Sequence, residues 1–480
     1  MGLAGGGVVA LSLPPFGWWP LALVGMAALV VGLAGEPVRR RLLVGAAFGL
    51  GQFTVGLWWM GEFNMVGAGA VVVLETAFLA LAAAVSPPGA GRALGLPAAI
   101  VLAEAARGAW PFGGLPMAGL ALGQVNGPLA PSARVGGQLG LVALAGIGGV
   151  ALAALVGRRW QVAGIAAALV AVATVTAGAA PDGGMPVDSI RVACVQGGGA
   201  RGFRQADVDQ GLVFEAQLAA SRRLSPPIDL VVWPEDVLDV EGPVESTPEA
   251  AAVAAEARRL GATVVVGVIE GGPPGGFRNA AVAWGPTGEV VARYEKVHRV
   301  PFGEYIPGRA FFERLADLSD VPRDAIVGTG PGLLRTPAGG LGALISYEVF
   351  FPDRARAAVK AGGRLLLVPT NAASFRTSQV PTQEVAAARL RAIETGRDLL
   401  QASPTGASAV VDHRGRVLHQ TTLGRRQVLR ATVALRDGRT VYTVIGDGPL
   451  LALTAAALCA AWAAAGVRPS PRRRGSRTGH

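Results

Sequence analysis

A chain of 480 residues with 69 glycines, only 16% charged residues and a mean hydropathy of +0.44 is too apolar for a wholly soluble or disordered protein. Two cysteines far apart, Cys194 and Cys459, exclude a disulfide framework, and the four histidines show no zinc-type spacing, so neither a metal nor any other cofactor is expected. The formal charge of +10 would suit nucleic acid only if the basic residues lay on a soluble face.

Residues 1–185 are nearly free of charge and contain apolar stretches at about 3–13, 16–35, 43–60, 67–86, 93–110, 135–157 and 160–180. Another lies at about 448–466, inside the segment 441–467. Most approach the roughly 20 residues that cross about 30 Å of hydrocarbon, so an α-helical polytopic domain of about eight spans is predicted. The first stretch is short, but it lacks the basic n-region and cleavage site of a signal peptide. Arg39–Arg41 follow the second stretch, Arg92 the fourth, Arg158 and Arg159 the sixth, and Arg468, Arg472, Arg473, Arg474 and Arg477 the last. Positive charge at alternate turns places both ends in the cytoplasm and residues 186–440 outside. The tail 468–480 then reads as a topology anchor and no nucleic acid is expected. Within the spans, Glu75 and the Glu104/Arg107 pair are expensive in lipid, and fit either a structural ion pair or a substrate cleft. Trp58, Trp59 and Trp110 read as interfacial belt residues.

From about residue 189 the pattern changes to short β-branched runs: Ile190–Val195, Leu230–Trp233, Thr263–Ile269, Ala280–Trp284, Leu341–Ile345, Leu365–Val368 and Ser408–Val411. Helical segments such as 247–260 and 383–397 fall between several of them, and Gly271–Gly276 marks a loop. Continuous apolar strands alternating with helices signal an α/β domain with a buried sheet.

Three polar clusters follow strand-like runs. They are Trp233-Pro234-Glu235; Tyr294-Glu295-Lys296-Val297-His298 with its continuation from Pro301 to Gly308; and Ile345-Ser346-Tyr347-Glu348 before Phe351-Pro352-Asp353. Functional groups of α/β sheets gather at the carboxyl ends of strands, so these clusters can converge. A carboxylate, an ammonium and a small nucleophile-sized side chain form a constellation for acyl transfer, as base, oxyanion stabiliser and attacking atom. Each alone has a plainer reading: Glu235 as a turn carboxylate, Lys296 as a surface charge, Ser346 as a small strand residue.

The order Glu, Lys, then a residue followed by Tyr-Glu resembles the carbon-nitrogen hydrolase (nitrilase) superfamily, and the whole chain looks like its membrane-embedded branch, the apolipoprotein N-acyltransferases. Val195-Gln196-Gly197, the stretch from Pro369 to Phe375, Ala388-Arg389-Leu390-Arg391-Ala392-Ile393-Glu394 and Tyr442-Thr443-Val444-Ile445-Gly446-Asp447 extend the resemblance. It implies an α-β-β-α sandwich, with Glu235 as general base, Lys296 as oxyanion-stabilising partner, Glu304 as a supporting acid, and Tyr347 and Glu348 as neighbours of the nucleophile. It also implies a bacterial cell membrane location, a phospholipid acyl donor and a diacylated lipoprotein acceptor. The family nucleophile is a cysteine, and Ser346 stands in its place. A slow acyltransferase, a hydrolase-like variant, an inactivated form, and a silent membrane platform anchoring a partner such as a polyprenyl-phosphate mannosyltransferase all remain open on the sequence.

Overall fold

The structure, a computed structural model, describes residues 1–199, 209–273, 275–314, 318–319, 321–371 and 379–466. Residues 372–375 of the family-like stretch and the Arg-rich tail 468–480 lie outside the described residues.

Seven helices form the N-terminal half: α1 (Gly2–Ala10), α2 (Pro20–Gly32), α3 (Val38–Gly56), α4 (Met65–Val85), α5 (Arg92–Arg107), α6 (Ala133–Val156) and α7 (Trp160–Ala179). Among the described residues five helices are long and apolar enough to cross a membrane: α4, α5 and α6 (the last two with the turns that precede them), α7, and the C-terminal Gly448–Gly466. The nine residues of α1 rise only about 14 Å, well short of a bilayer. Glycine sets its packing: a Cβ on Gly6 would lie 1.8 Å from the Phe48 carbonyl oxygen of α3, so the two backbones touch. Trp58 and Trp110 are exposed, as a belt role requires. Trp59 is not: it is buried, and its backbone N–H donates to Gln379 Oε1 at 3.2 Å.

The C-terminal half stacks two sheets. In chain order its elements are β1 (Pro186–Gln196), α8 (Gln210–Ser221), β2 (Leu230–Val232), β3 (Leu238–Val240), α9 (Pro248–Leu260), β4 (Thr263–Gly272), β5 (Gly276–Trp284), β6 (Val290–Glu295) and α10 (Arg309–Phe312). They continue with β7 (Leu333–Thr336), β8 (Gly339–Ala343), α11 (Pro352–Lys360), β9 (Leu365–Pro369), α12 (Gln379–Thr395), β10 (Leu399–Ala402), β11 (Ala409–Val411), β12 (Val417–Gln420), β13 (Gln427–Arg436), α13 (Val441–Ile445) and α14 (Gly448–Gly466).

One sheet runs β13-β1-β2-β4-β5-β6, with β3 beside β4; the other runs β12-β11-β10-β9-β8-β7. Their inner faces meet over Val192, Cys194, Val232, Ala281, Ile345 and Leu367. Helices α8 and α9 cover the outside of the first sheet, α11 and α12 the outside of the second. This is the α-β-β-α sandwich. The layer holding α12 shares one apolar core with the membrane helices. There Gln379 Nε2 donates to Val55 O at 2.7 Å and Gln383 Nε2 to Gly56 O at 2.9 Å. Carbonyls in the last turn of a helix are short of intrahelical donors, and these two glutamines add side-chain donors there, although that of Val55 also accepts from the cap backbone.

Candidate active site

Three strand ends build the site. At the first, Trp233 follows β2 and is fully buried, and the chain turns at Glu235, with Asp236 at φ +58°. The turn lies against β4: Gly267 N–H donates to Pro234 O (3.0 Å) and Val237 N–H donates to Gly267 O (3.1 Å). A Cβ at residue 267 would stand 2.3 Å from Glu235 Cα, so only glycine admits the carboxylate here.

At the second, Lys296 follows β6, where its N–H donates to Asn279 O on β5 at 2.8 Å. Its ammonium is 2.9 Å from Glu235 Oε1 and 2.8 Å from Glu304 Oε1. The Asn279 side-chain amide donates to the same two oxygens, at 2.8 and 2.9 Å. Glu304 Oε2 accepts from Val300 N–H at 2.7 Å, fixing the loop that carries it. Burial works against the Lys296 charge, but Glu235 and Glu304 outweigh it and hold its pKa above the ordinary lysine value. A lysine so held stays an ammonium at neutral pH and serves as a donor, not as a base.

The third holds Ser346, beyond the end of β8, half-buried and at φ +49°. A non-glycine residue in that region is strained, and such strain gathers at reactive turns. Its Oγ is 3.1 Å from Thr370 Oγ1 at the end of β9. Glu348 locks the second and third strand ends together. Its Oε1 accepts from the N–H groups of Val297 (2.8 Å) and His298 (3.1 Å), its Oε2 from Ile345 N–H (2.8 Å), and both from Tyr294 OH. Tyr347 points away from the carboxylates, donating to Gly114 O at 2.8 Å in the loop after α5.

The intramembrane charges brace that same loop. Arg107 donates to Glu75 Oε2 (2.5 Å), Glu104 Oε2 (3.1 Å) and Met117 O (2.6 Å) and is fully buried. Of the two readings open to them, the structure shows the ion-pair network. Neither cysteine stands at the site: Cys194 is buried between the sheets, where desolvation pushes its thiol up to about 12, and Cys459 lies exposed on α14.

Thus Glu235, Lys296 and Glu304 share one hydrogen-bonded cluster, and Ser346 is hydrogen-bonded to Thr370. As site residues, sequence reasoning missed Asn279 and passed over Thr370 inside the stretch from Pro369 to Phe375. Asn279 carried a signal, being the polar residue directly before the apolar run Ala280–Trp284.

The family model described as carbon-nitrogen hydrolase matches residues 191–442, and that of the apolipoprotein N-acyltransferase N-terminal domain matches residues 5–151. Proteins named apolipoprotein N-acyltransferase are similar over nearly the full length. That of Photobacterium profundum is 29% identical, covering 93% of this chain and 90% of its own. That of Methylococcus capsulatus is 31% identical, covering 95% and 94%. Among solved structures, a nitrilase-superfamily protein of Saccharomyces cerevisiae, Nit3, aligns with 52% of this chain and 91% of its own at 20% identity and a TM-score of 0.41. The silent-platform reading and its glycosyltransferase partner gain no support from these relatives. The chain belongs to the apolipoprotein N-acyltransferase family, the acyltransferases that join a carbon-nitrogen hydrolase domain to a helical membrane domain.

Proposed function

We propose that this protein moves an acyl chain from a phospholipid to the N-terminal amine of a diacylglyceryl-cysteine lipoprotein, through an acyl-enzyme on Ser346. The observation that carries the reading is the shared Glu235–Lys296–Glu304–Asn279 cluster, tied through Glu348 to the turn that holds Ser346 at positive φ, in a chain whose other half is apolar helix. Ser346 Oγ attacks the ester carbonyl while Glu235 takes its proton, and Lys296 faces the oxyanion of the tetrahedral intermediate. Collapse breaks the ester bond, and the proton on Glu235 passes to the departing lysophospholipid oxygen. The lipoprotein amine then attacks the acyl-serine and gives a proton to Glu235. Its collapse forms the amide and returns that proton to Ser346. Glu304 and Asn279 hold Lys296 and Glu235 in register, and Glu348 with Tyr347 fixes the turn that carries Ser346.

The layout belonging to this reading is residues 1–185 as transmembrane helices, 186–440 as an extracytoplasmic catalytic domain in the bacterial cell membrane, 441–467 as the last span, and 468–480 as a cytoplasmic tail. Both substrates are anchored in lipid, and exposed Phe112, Phe302 and Phe311 lie near the loops around the cluster, an apolar rim suited to acyl chains. In cells whose lipoprotein N-acylation depends on this protein, Glu235→Gln or Lys296→Met should leave diacylated lipoproteins at unchanged protein level. A base and an oxyanion donor each contribute roughly 10²-fold or more. Triacylated lipoproteins persisting in both variants would refute the assigned roles.

A further inference from the structure

Behind Ser346 lies a short polar chain separate from the Lys296 cluster. Thr370 Oγ1 is 3.1 Å from Ser346 Oγ and 2.8 Å from Glu384 Oε1 on α12, and both Thr370 and Glu384 are buried. A threonine has one hydroxyl proton, so it donates to one of these neighbours and accepts from the other. The protonation of Glu384 decides which. Its Oε2 is buried without a hydrogen-bond partner among the described residues, which suits a neutral carboxyl better than a carboxylate. Burial pushes its pKa up to about 8; the Thr370 bond opposes this, Glu235 adds to it and Lys296 opposes it. Other charged groups around α12 are already engaged. Glu348 and Arg354 share Tyr294, Arg391 pairs with Glu394, Arg389 donates to Asn126, and Asp447 accepts from Tyr442.

We propose that neutral Glu384 positions the nucleophile through Thr370: Glu384 O–H donates to Thr370 Oγ1, Thr370 O–H donates to Ser346 Oγ, and the Ser346 proton is left for Glu235. This rests on Ser346 being the nucleophile. As Oγ bonds to the acyl carbon its proton goes to Glu235, and the Thr370 bond tightens onto the developing negative charge. Thr370 and Glu384 keep their own protons. Once Glu384 ionises it can no longer donate; Thr370 turns its single proton to the carboxylate, and Ser346 loses its donor. An alkoxide needs such a donor far more than a thiolate does, because the alcohol is the weaker acid.

The test uses the full chain in phospholipid nanodiscs and an alkyl fluorophosphonate, with the rate of adduct formation at Ser346 followed by mass spectrometry. A group titrating at about 8 predicts labelling about tenfold slower at pH 9 than at pH 7. Glu384→Gln, whose amide donates at both pH values, should vary by less than about twofold between them. Thr370→Val should label about 10- to 100-fold more slowly at pH 7, the worth of a hydrogen bond to a charged group, and Thr370→Ser should restore the rate. A wild-type rate that does not fall at pH 9, or a fall retained in Glu384→Gln or in Thr370→Val, overturns the relay and leaves the nucleophile standing. A folded wild-type protein with no adduct on Ser346 at either pH overturns the nucleophile reading itself.

Discussion

At position 346 the side chain sets the energetic demand that its neighbours meet. A thiol ionises near 8.5 and an alcohol far higher, close to water itself, a gap of roughly 7 units or about 10 kcal/mol. In the mechanism proposed above, concerted proton removal by Glu235, the ammonium of Lys296 and a hydrogen bond from Thr370 act on that gap together. Each acts only at a fixed distance, and Gly267 illustrates how that distance is kept. Because an added Cβ would lie 2.3 Å from Glu235 Cα, and a backbone atom cannot swing aside, Gly267→Ala should displace the carboxylate. A shift of about 1 Å in a catalytic group costs on the order of 10²-fold. Purified Gly267→Ala should therefore transfer acyl chains at least about 10²-fold more slowly while still melting cooperatively; wild-type rates would show that the turn tolerates the methyl group.

The helices and strands differ in how far the sequence revealed them. Continuous apolar runs such as Leu230–Trp233 and Thr263–Ile269 became the buried central strands β2 and β4, since a strand covered on both faces has no polar side to show. Strand β13 escaped notice because arginines interrupt it and one side of it is partly exposed, yet it pairs with β1 along ten positions. Helix α8 carries too weak an apolar stripe to be read alone. Glu235 and Ser346 stood out because each follows an apolar run, and Lys296 through its place between them in the order Glu, Lys, then a residue followed by Tyr-Glu. Thr370 and Glu384 did not, since their meeting depends on how α12 lies over the sheet ends, and no spacing encodes that. The arginines flanking the apolar helices bear on orientation. A reporter fused after Gly184 should be exported and one fused after Arg474 should stay cytoplasmic, whereas cytoplasmic residues 186–440 would contradict the extracytoplasmic placement.

Across the whole molecule, one half governs the geometry of the other. Gln379 and Gln383 dock α12 onto the end of α3, Tyr347 reaches into the loop braced by Arg107, and Tyr305 OH donates to Phe112 O at 3.1 Å. The turn that carries Ser346 and the helix α12 beside it are thereby tied to the membrane helices. We propose that this assembly transfers acyl chains through the serine oxygen. The most direct measurement of this central claim is mass spectrometry of lipoprotein N-termini and of residue 346, in cells carrying the wild type, Ser346→Ala or Ser346→Cys as the sole copy. We expect triacylated lipoproteins and an acyl adduct on Ser346 in the wild type, only diacylated lipoproteins with Ser346→Ala, and faster triacylation with Ser346→Cys, a swap that adds little volume. Triacylation undiminished in Ser346→Ala, or none in the wild type and Ser346→Cys while both proteins are folded in the membrane, would contradict it.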